Sequence, residues 1–523
     1  MKKRILSLAL VSVLFAGIFA ACAPAGTQPP AGGAAPVTQQ PAVPDGERTV
    51  GRGITVAHSI CSPSITPGRH TSLAGHWINT LTHNGLFRRD EYMNAIPDII
   101  EDWRPLSDTL FEFTLRPGIR FHNGDVMTAY DIEASHHFLR TFPEGAAMHT
   151  AVIGIEVVDR YTFILDTGEP NALMVPSLAD QRNFIFPMSL IDAGHDFTEV
   201  PIGSGPFVFE EWDHGNAITF RRFEDYFDAD RTARVEYIVW RTIPEGSTRT
   251  IALEMGEVDY LIAVASPDIP RLEADPNIVL FQMPGLTYNY LLFNHTLPQF
   301  ESVYVRRAID MALDKVSMVE AGFDGRALPV WESFPTIFPG VSREGIRSFD
   351  PEGARALLAA NNIDPSTLDF EIIFALEEYR RMGEVAQANL ADIGIRVTLS
   401  QVDNAAWLSQ TAGGQHQAAF GNFTSDNVLG FLRNTMHLSF IGAQNRSQFY
   451  NREFSNLIDQ AVATVDESAR LALIYELTQT ANEQAVWVPL CISYVIRAHT
   501  SSLIVPETNA FGFMMFNMVY WAE

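Results

Sequence analysis

The chain has 523 residues, 47% of them hydrophobic, enough to bury a large core divided among two or more domains. Its 62 acidic residues against 36 basic ones leave a formal charge of −26. That balance excludes the basic face that nucleic acid requires.

At the start of the chain, Lys2, Lys3 and Arg4 precede an apolar run over 5–19 and then Ala20-Ala21-Cys22. The run is shorter than a stable membrane span and reads as the core of a signal peptide. Small residues ending on a cysteine resemble the lipobox of bacterial lipoproteins, with Phe19 where leucine is usual. The resemblance implies that Cys22 carries the lipid anchor and that 1–22 is a lipoprotein signal peptide; ordinary cleavage near Ala20-Ala21 is the alternative. Residues 23–49 are mostly Ala, Pro, Gly, Gln and Thr and read as a flexible spacer, because they offer too little apolar surface to order themselves. No later stretch reaches about 18 uninterrupted apolar residues. The protein is therefore expected outside the cytoplasm, tethered to the bacterial cell membrane through its lipid only. Cys61 and Cys491 remain after processing, in a compartment where a disulfide persists, and their spacing leaves pairing and separate packing equally open.

Strands are predicted over 53–60, over 109–121 with Phe111, Phe113 and Leu115 on one face, and over 161–165, 207–212, 217–221 and 235–243. Helices follow: one capped by Ser247 and stopped by Gly256, one amphipathic over 303–319, and others over 353–360, 379–392 and 454–465. A strand over 395–399 after Gly394 gives the helix-to-strand unit of an α/β layer.

In that order, several blocks become recognisable. Asp102-Trp103 leads into the run 110–132, Leu-Phe-Glu-Phe-Thr-Leu-Arg-Pro-Gly-Ile-Arg-Phe-His-Asn-Gly-Asp-Val-Met-Thr-Ala-Tyr-Asp-Ile. Then come Pro201-Ile-Gly-Ser-Gly-Pro-Phe207, Arg222-Phe-Glu-Asp-Tyr-Phe227, Leu253-Glu-Met-Gly-Glu-Val-Asp259, Tyr290-Leu-Leu-Phe-Asn294 and Val305-Arg-Arg-Ala-Ile309. The series, over roughly 50–505, resembles the family 5 extracellular solute-binding proteins, the peptide, nickel and oligosaccharide receptors of ABC importers. The resemblance implies an α/β fold of the two-lobed periplasmic-binding-protein type II, in its larger form with an extra subdomain, closing by hinge motion. Lobe I would be 50–294 plus 490–523, with the extra subdomain over 86–165, and lobe II 295–489. The two crossing hinge segments would be 290–294 and 488–494.

The run 120–138 concentrates three histidines and three acids, yet its polarity has structural causes. Asn123-Gly124 signals a hairpin-type turn, and Thr128 with Asp131 forms a capping box. His136 and His137 point about 100° apart on a helix and cannot chelate together. No metal site or cofactor is expected. The chain also lacks H-E-x-x-H, G-x-S-x-G and a phosphate loop.

The ligand contacts implied by the resemblance centre on Gly421-Asn-Phe-Thr-Ser-Asp-Asn427, similar to the segment that carries an ammonium-binding aspartate in dipeptide-binding relatives. That match gives the role to Asp426 and the aromatic position to Phe423; an aspartate that merely caps its loop is the competing reading. Trp407 and Tyr288 are candidate stacking surfaces. Ser204 is a candidate backbone-turn contact, and Asn294 and Cys61 complete the set. The relatives' carboxylate-binding arginine has no counterpart, because 370–378 contains no arginine before Arg380-Arg381. The expected function is a monomeric receptor that binds a peptide or peptide-like molecule without chemistry and hands it to an ABC permease. A receptor for a non-peptide solute (an oligosaccharide, an opine-like compound, or a nickel chelate held by His58, His70 or His76) and a tethered hydrolase are the alternatives.

Overall fold

The alternation over 111–115 forms as expected: the strand Leu110–Leu115 buries Phe111, Phe113 and Leu115 on one face. The computed structural model describes residues 53–59, 64–67, 69, 73–90, 94–142, 152–180, 183–506 and 515–522. The chain divides into two units, Met1–Arg48 and Thr49–Glu523, and the first lies wholly outside the described residues, with Cys22 in it. Cys61 and His70 also lie outside them.

Most strands of the second unit belong to one mixed sheet. Its order is Arg396–Gln401, Asp369–Phe374, Ala418–Thr424, Ile278–Phe293, Trp487–Thr500, Tyr260–Leu261, Gly53–His58, Tyr237–Thr242, Ala217–Arg222 and Phe207–Asp213, with Ala327–Pro329 added beside Trp487–Thr500. Two members are far longer than the rest. Ile278–Phe293 and Trp487–Thr500 run antiparallel, with register shifts between Pro284 and Tyr288 and between Asn289 and Tyr290. The expected crossing segments, 290–294 and 488–494, lie almost entirely within these two strands.

Packing on either side of the shifts is separate. Two hydrophobic cores draw their buried residues from the interval Leu286 to Ile492. The other cores draw theirs from Leu272 and before and from Ala498 onward. Partly buried Ile278 and Leu280 join the second group, and Leu291 and Leu292 of the same strand the first. One strand thus serves both groups of cores, which is what a connection between lobes requires.

A four-stranded antiparallel sheet, Ile100–Pro105, Leu110–Leu115, Thr162–Asp166 and Gly154–Val157, stands apart from the main one. Its core continues through Met174 and Leu178 to Ile185.

Local departures from expectation have clear causes. The helix predicted over 303–319 is two, Val303–Ala312 and Lys315–Phe323. Asp314 breaks the run by capping the second, accepting from the amides of Val316 and Ser317 at 3.2 Å. Glu245, not Ser247, caps Gly246–Glu254. Cys491 is a free, fully buried thiol among the described residues, and burial pushes it up to about 12.

Candidate ligand-binding site

The strand Ala418–Thr424 lies beside Ile278–Phe293 and delivers its chain to the loop Ser425-Asp426-Asn427. The cap of the following helix, Val428–Met436, is Asn427, whose Oδ1 accepts from the Gly430 amide at 2.6 Å. Asn427 Nδ2 also donates to Asp426 Oδ1 at 2.7 Å. Asp426 is therefore not the cap of its loop, and its second oxygen is left for a partner from elsewhere.

That partner is Arg89. Its Nη2 donates to Asp426 Oδ2, and the same nitrogen donates to the Pro176 carbonyl at 2.9 Å. Arg89 ends the short strand Phe87–Arg89, on the side of the subdomain core, whereas Asp426 belongs to the other side of the long strands. The Ala172 amide donates to the Val462 carbonyl at 2.8 Å and joins the same two sides nearby. The arginine and aspartate side chains are 9% and 25% exposed, so water screens the pair only partly.

The other sequence candidates do not gather around Asp426. Phe423 comes nearest, half-buried and stacked on Phe431 at 5.0 Å. Tyr288 is fully buried and its hydroxyl donates to the Glu332 carbonyl. Asn294 is spent on structure: its Nδ2 donates to the carbonyls of Gly414 and His416 at 2.9 and 3.0 Å, and its Oδ1 accepts from Thr296. Trp407 is buried on the helix Asn404–Ala412, against Gly421, with the Arg446 guanidinium 5.0 Å from its ring centre.

Ser204 has no exposure, and its hydroxyl donates to Asn84 Oδ1 at 3.2 Å. Its glycine neighbours explain the motif. A Cβ on Gly203 would stand 2.3 Å from the Thr82 carbonyl oxygen, and one on Gly205 2.5 Å from the His83 amide. The Gly-Ser-Gly turn lies flat on the end of the helix Leu73–Thr82 because only glycine fits there. His122 of the polar run binds this turn, with Nε2 at 3.0 Å from the Gly205 carbonyl, and burial pushes it down to about 4. Thr128 and Asp131 make the expected capping box. Among the described residues no group of three His, Cys, Asp or Glu side chains is placed to hold a metal ion.

Next to Arg89 opens a cavity of about 100 Å³, lined by Arg88, His83, Asn84, Asp98 and Arg231 among others. Asp98 is nearly buried and receives Arg231 Nη2 at 2.6 Å and Asn84 Nδ2 at 2.8 Å. Arg231 also holds Asp228 at 2.7 Å. Burial opposes the charge of Arg231, but Asp98, Tyr226 and Asp228 together outweigh it and hold the group above its ordinary value. Arg88 is pushed down, by burial first and by Arg231 second.

The sequence pattern of the bacterial extracellular solute-binding proteins, family 5 (middle region), matches residues 94–436. The chain belongs to this family. Among its relatives, Heme-binding protein A of Haemophilus influenzae is 27% identical over 76% of this chain and 79% of its own. Di/tripeptide-binding protein 1 of Pseudomonas aeruginosa is 24% identical over 81% and 85%. The solved structure of HbpA2 from Haemophilus parasuis superposes with a TM-score of 0.82 at 22% identity, over 90% of this chain and all of that one. The fold of the family is thus the fold here, α/β and built on a mixed sheet. No described helix of this family member is long and apolar enough to cross a membrane.

Sequence reasoning missed Arg89 and Arg88. Neither lies near the segment where the family's carboxylate-binding arginine was sought, since they stand some 280 residues earlier in the chain. The available signal was the pair of charges placed directly after the apolar Leu86-Phe87, at the edge of a core.

Proposed function

We propose that this protein is the extracytoplasmic receptor of an ABC importer, binding a peptide or peptide-like molecule that carries a free ammonium, and tethered through Cys22. The observation that carries this reading is the carboxylate of Asp426, which accepts a cation across the line between the two packing regions. In the ligand-free protein that cation is Arg89. The Arg89 pair holds the ligand-free lobes closed; a ligand ammonium takes its place, and the closed lobes exclude the water that would weaken the new pair. Affinity then follows from how much better the closed state holds the ligand than the open one does. The di/tripeptide-binding relative supports a ligand of this class, and the carboxylate of Asp426, which is not spent on capping, supports its role.

The lobes in this reading are 50–294 plus 490–523 and 295–489, and they bend where the long strands pass between cores, near 283–285 and 493–497. Binding involves no bond breaking, and the receptor acts as a monomer. Native mass spectrometry of the purified protein weighs any copurified ligand. With an amine-bearing peptide so identified, Asp426→Asn weakens binding by well over about tenfold, the cost of leaving a buried ammonium without its partner. An unchanged dissociation constant removes Asp426 from the site. Turnover of the ligand, lost with one acid pair, would replace the receptor by a tethered hydrolase.

A further inference from the structure

The cavity beside Arg89 holds a guanidinium that the protein itself does not use. No ion pair or side-chain hydrogen bond of Arg88 occurs among the described residues, and its Nε is fully buried without a partner. His83, 2% exposed on the same wall, has Nδ1 at 2.8 Å from the Thr82 hydroxyl and Nε2 with no partner. Both groups line the cavity. We infer that this cavity is a second subsite of the receptor, one that takes a carboxylate of the ligand on Arg88, with His83 Nε2 as a further donor.

The charges decide the class of group. Arg231 is committed to Asp98 and Asp228, and Asp98 accepts from Arg231 and Asn84. Asp98 and Asp228 favour the charge of Arg88 from a distance but are bonded to Arg231, so Arg88 is left with no carboxylate in contact among the described residues. A monoanion can take that contact, whereas a dianionic phosphate would add a second negative charge opposite Asp98. The fork of a guanidinium also matches the two oxygens of a carboxylate. The burial and the nearby Arg231 that push Arg88 down both make its charge costly while the cavity holds no anion. A bound carboxylate relieves that cost, which is the differential contact a ligand needs to favour the state it binds. The volume, about 100 Å³, is several times the space that one water needs.

The two subsites adjoin through Arg89, which pairs with Asp426 and also lines the cavity. An ammonium that takes Asp426 leaves Arg89, still bonded to the Pro176 carbonyl, at the mouth of the pocket, where its charge favours the same carboxylate. The favoured ligand is therefore zwitterionic. The inference rests on the receptor reading for the identity of the molecule that carries the carboxylate, so the test treats the two separately.

In the first arm, acetate is titrated into the ligand-free full-length protein and followed by ¹³C-acetate NMR. Wild type binds acetate, Arg88→Gln weakens it by about tenfold or more, Arg88→Lys keeps part of the affinity, and the exposed control Arg104→Gln leaves it unchanged. Because Arg88 has no partner to lose, Arg88→Gln unfolds at a temperature no lower than wild type, and that measurement excludes a folding defect. Acetate binding that is absent in wild type, or equal in wild type and Arg88→Gln, overturns the subsite. In the second arm, pooled tripeptides with free carboxyl termini and the same pool amidated are compared by native mass spectrometry. Preference for the free acids, lost in Arg88→Gln, supports the zwitterion. Equal capture of both pools overturns it. If neither pool binds while acetate does, the peptide reading fails and the carboxylate subsite stands.

Discussion

Replacing Arg89 by methionine removes the charge that meets Asp426 and keeps much of the side-chain volume. At an effective dielectric constant near 20, opposite unit charges about 4 Å apart attract by about 4 kcal/mol. Opening the cleft returns both groups to water and recovers most of that, so fully exposed pairs net only about 0–1 kcal/mol. The Arg89 and Asp426 side chains are 9% and 25% exposed, which places this pair above the exposed limit, at about 1.5–2 kcal/mol, or a ten- to thirtyfold shift toward the open form. The lost hydrogen bond to the Pro176 carbonyl does not enter, because Arg89 and Pro176 lie on the same side of the cleft. Single-molecule energy transfer between dyes on the two sides of the ligand-free protein reads the shift directly, and small-angle scattering shows it as a larger radius of gyration. Arg89→Lys retains the charge and recovers part of the closed population. Salt near 1 M, where the screening length falls to about 3 Å, moves wild type in the same direction. Identical distance distributions for Arg89→Met and wild type would refute the claim that this pair holds the ligand-free protein closed.

Other consequences concern the scaffold. Asp310 is buried between Lys315 at 2.8 Å and Arg347 at 2.6 Å; Asp310→Ala strands two cations and costs about 3–5 kcal/mol in urea unfolding, and a loss below about 1 kcal/mol argues against it. Gly205→Ala drives a Cβ to 2.5 Å from backbone that cannot yield, and lowers stability by about 1–3 kcal/mol by the same measure. Burial pushes His122, His295 and His416 down to about 4, 3 and 4. A neutral form favoured by folding gives stability that is complete above the unfolded value near 6.5 and is lost as pH falls from there toward 4. His295→Gln, whose amide can still reach the Val486 carbonyl, flattens that acid limb by up to about 1.4 kcal/mol per pH unit; an unchanged slope would show that His295 does not titrate on unfolding.

How far the sequence could be read depended on whether the deciding interaction was local. The alternation at Phe111, Phe113 and Leu115 and the box at Thr128 and Asp131 are complete within a few residues, and both form as read. The break at Asp314 was also local, but the apolar spacing on either side masked the capping signal. Ser204, Tyr288 and Asn294 look exposed or reactive in the sequence, yet partners 120, 44 and 120 to 122 residues away, Asn84, Glu332, Gly414 and His416, absorb their polar atoms. Asp426 stood out through family likeness, but its cation lies 337 residues earlier and no spacing rule connects the two.

The short strand Phe87–Arg89 gives that long-range pairing a physical logic. Successive residues of a strand face opposite ways. Phe87 is fixed in the subdomain core among Leu86, Phe113 and Leu115, and its position sets those of the two arginines that follow. Arg89 then reaches the aspartate across the cleft, while Arg88 stands near Arg231 and Asp98 in the cavity. A strand of three residues anchored by one aromatic ring thus presents two positive charges to two different environments. One charge is met by a carboxylate from the opposite side of the protein, and the other has no carboxylate in contact among the described residues. A ligand able to exchange with the first and neutralise the second gains contact at both, which an amine alone or an acid alone cannot do. Selectivity between such molecules is then set at Arg88 and Arg89 as much as at Asp426.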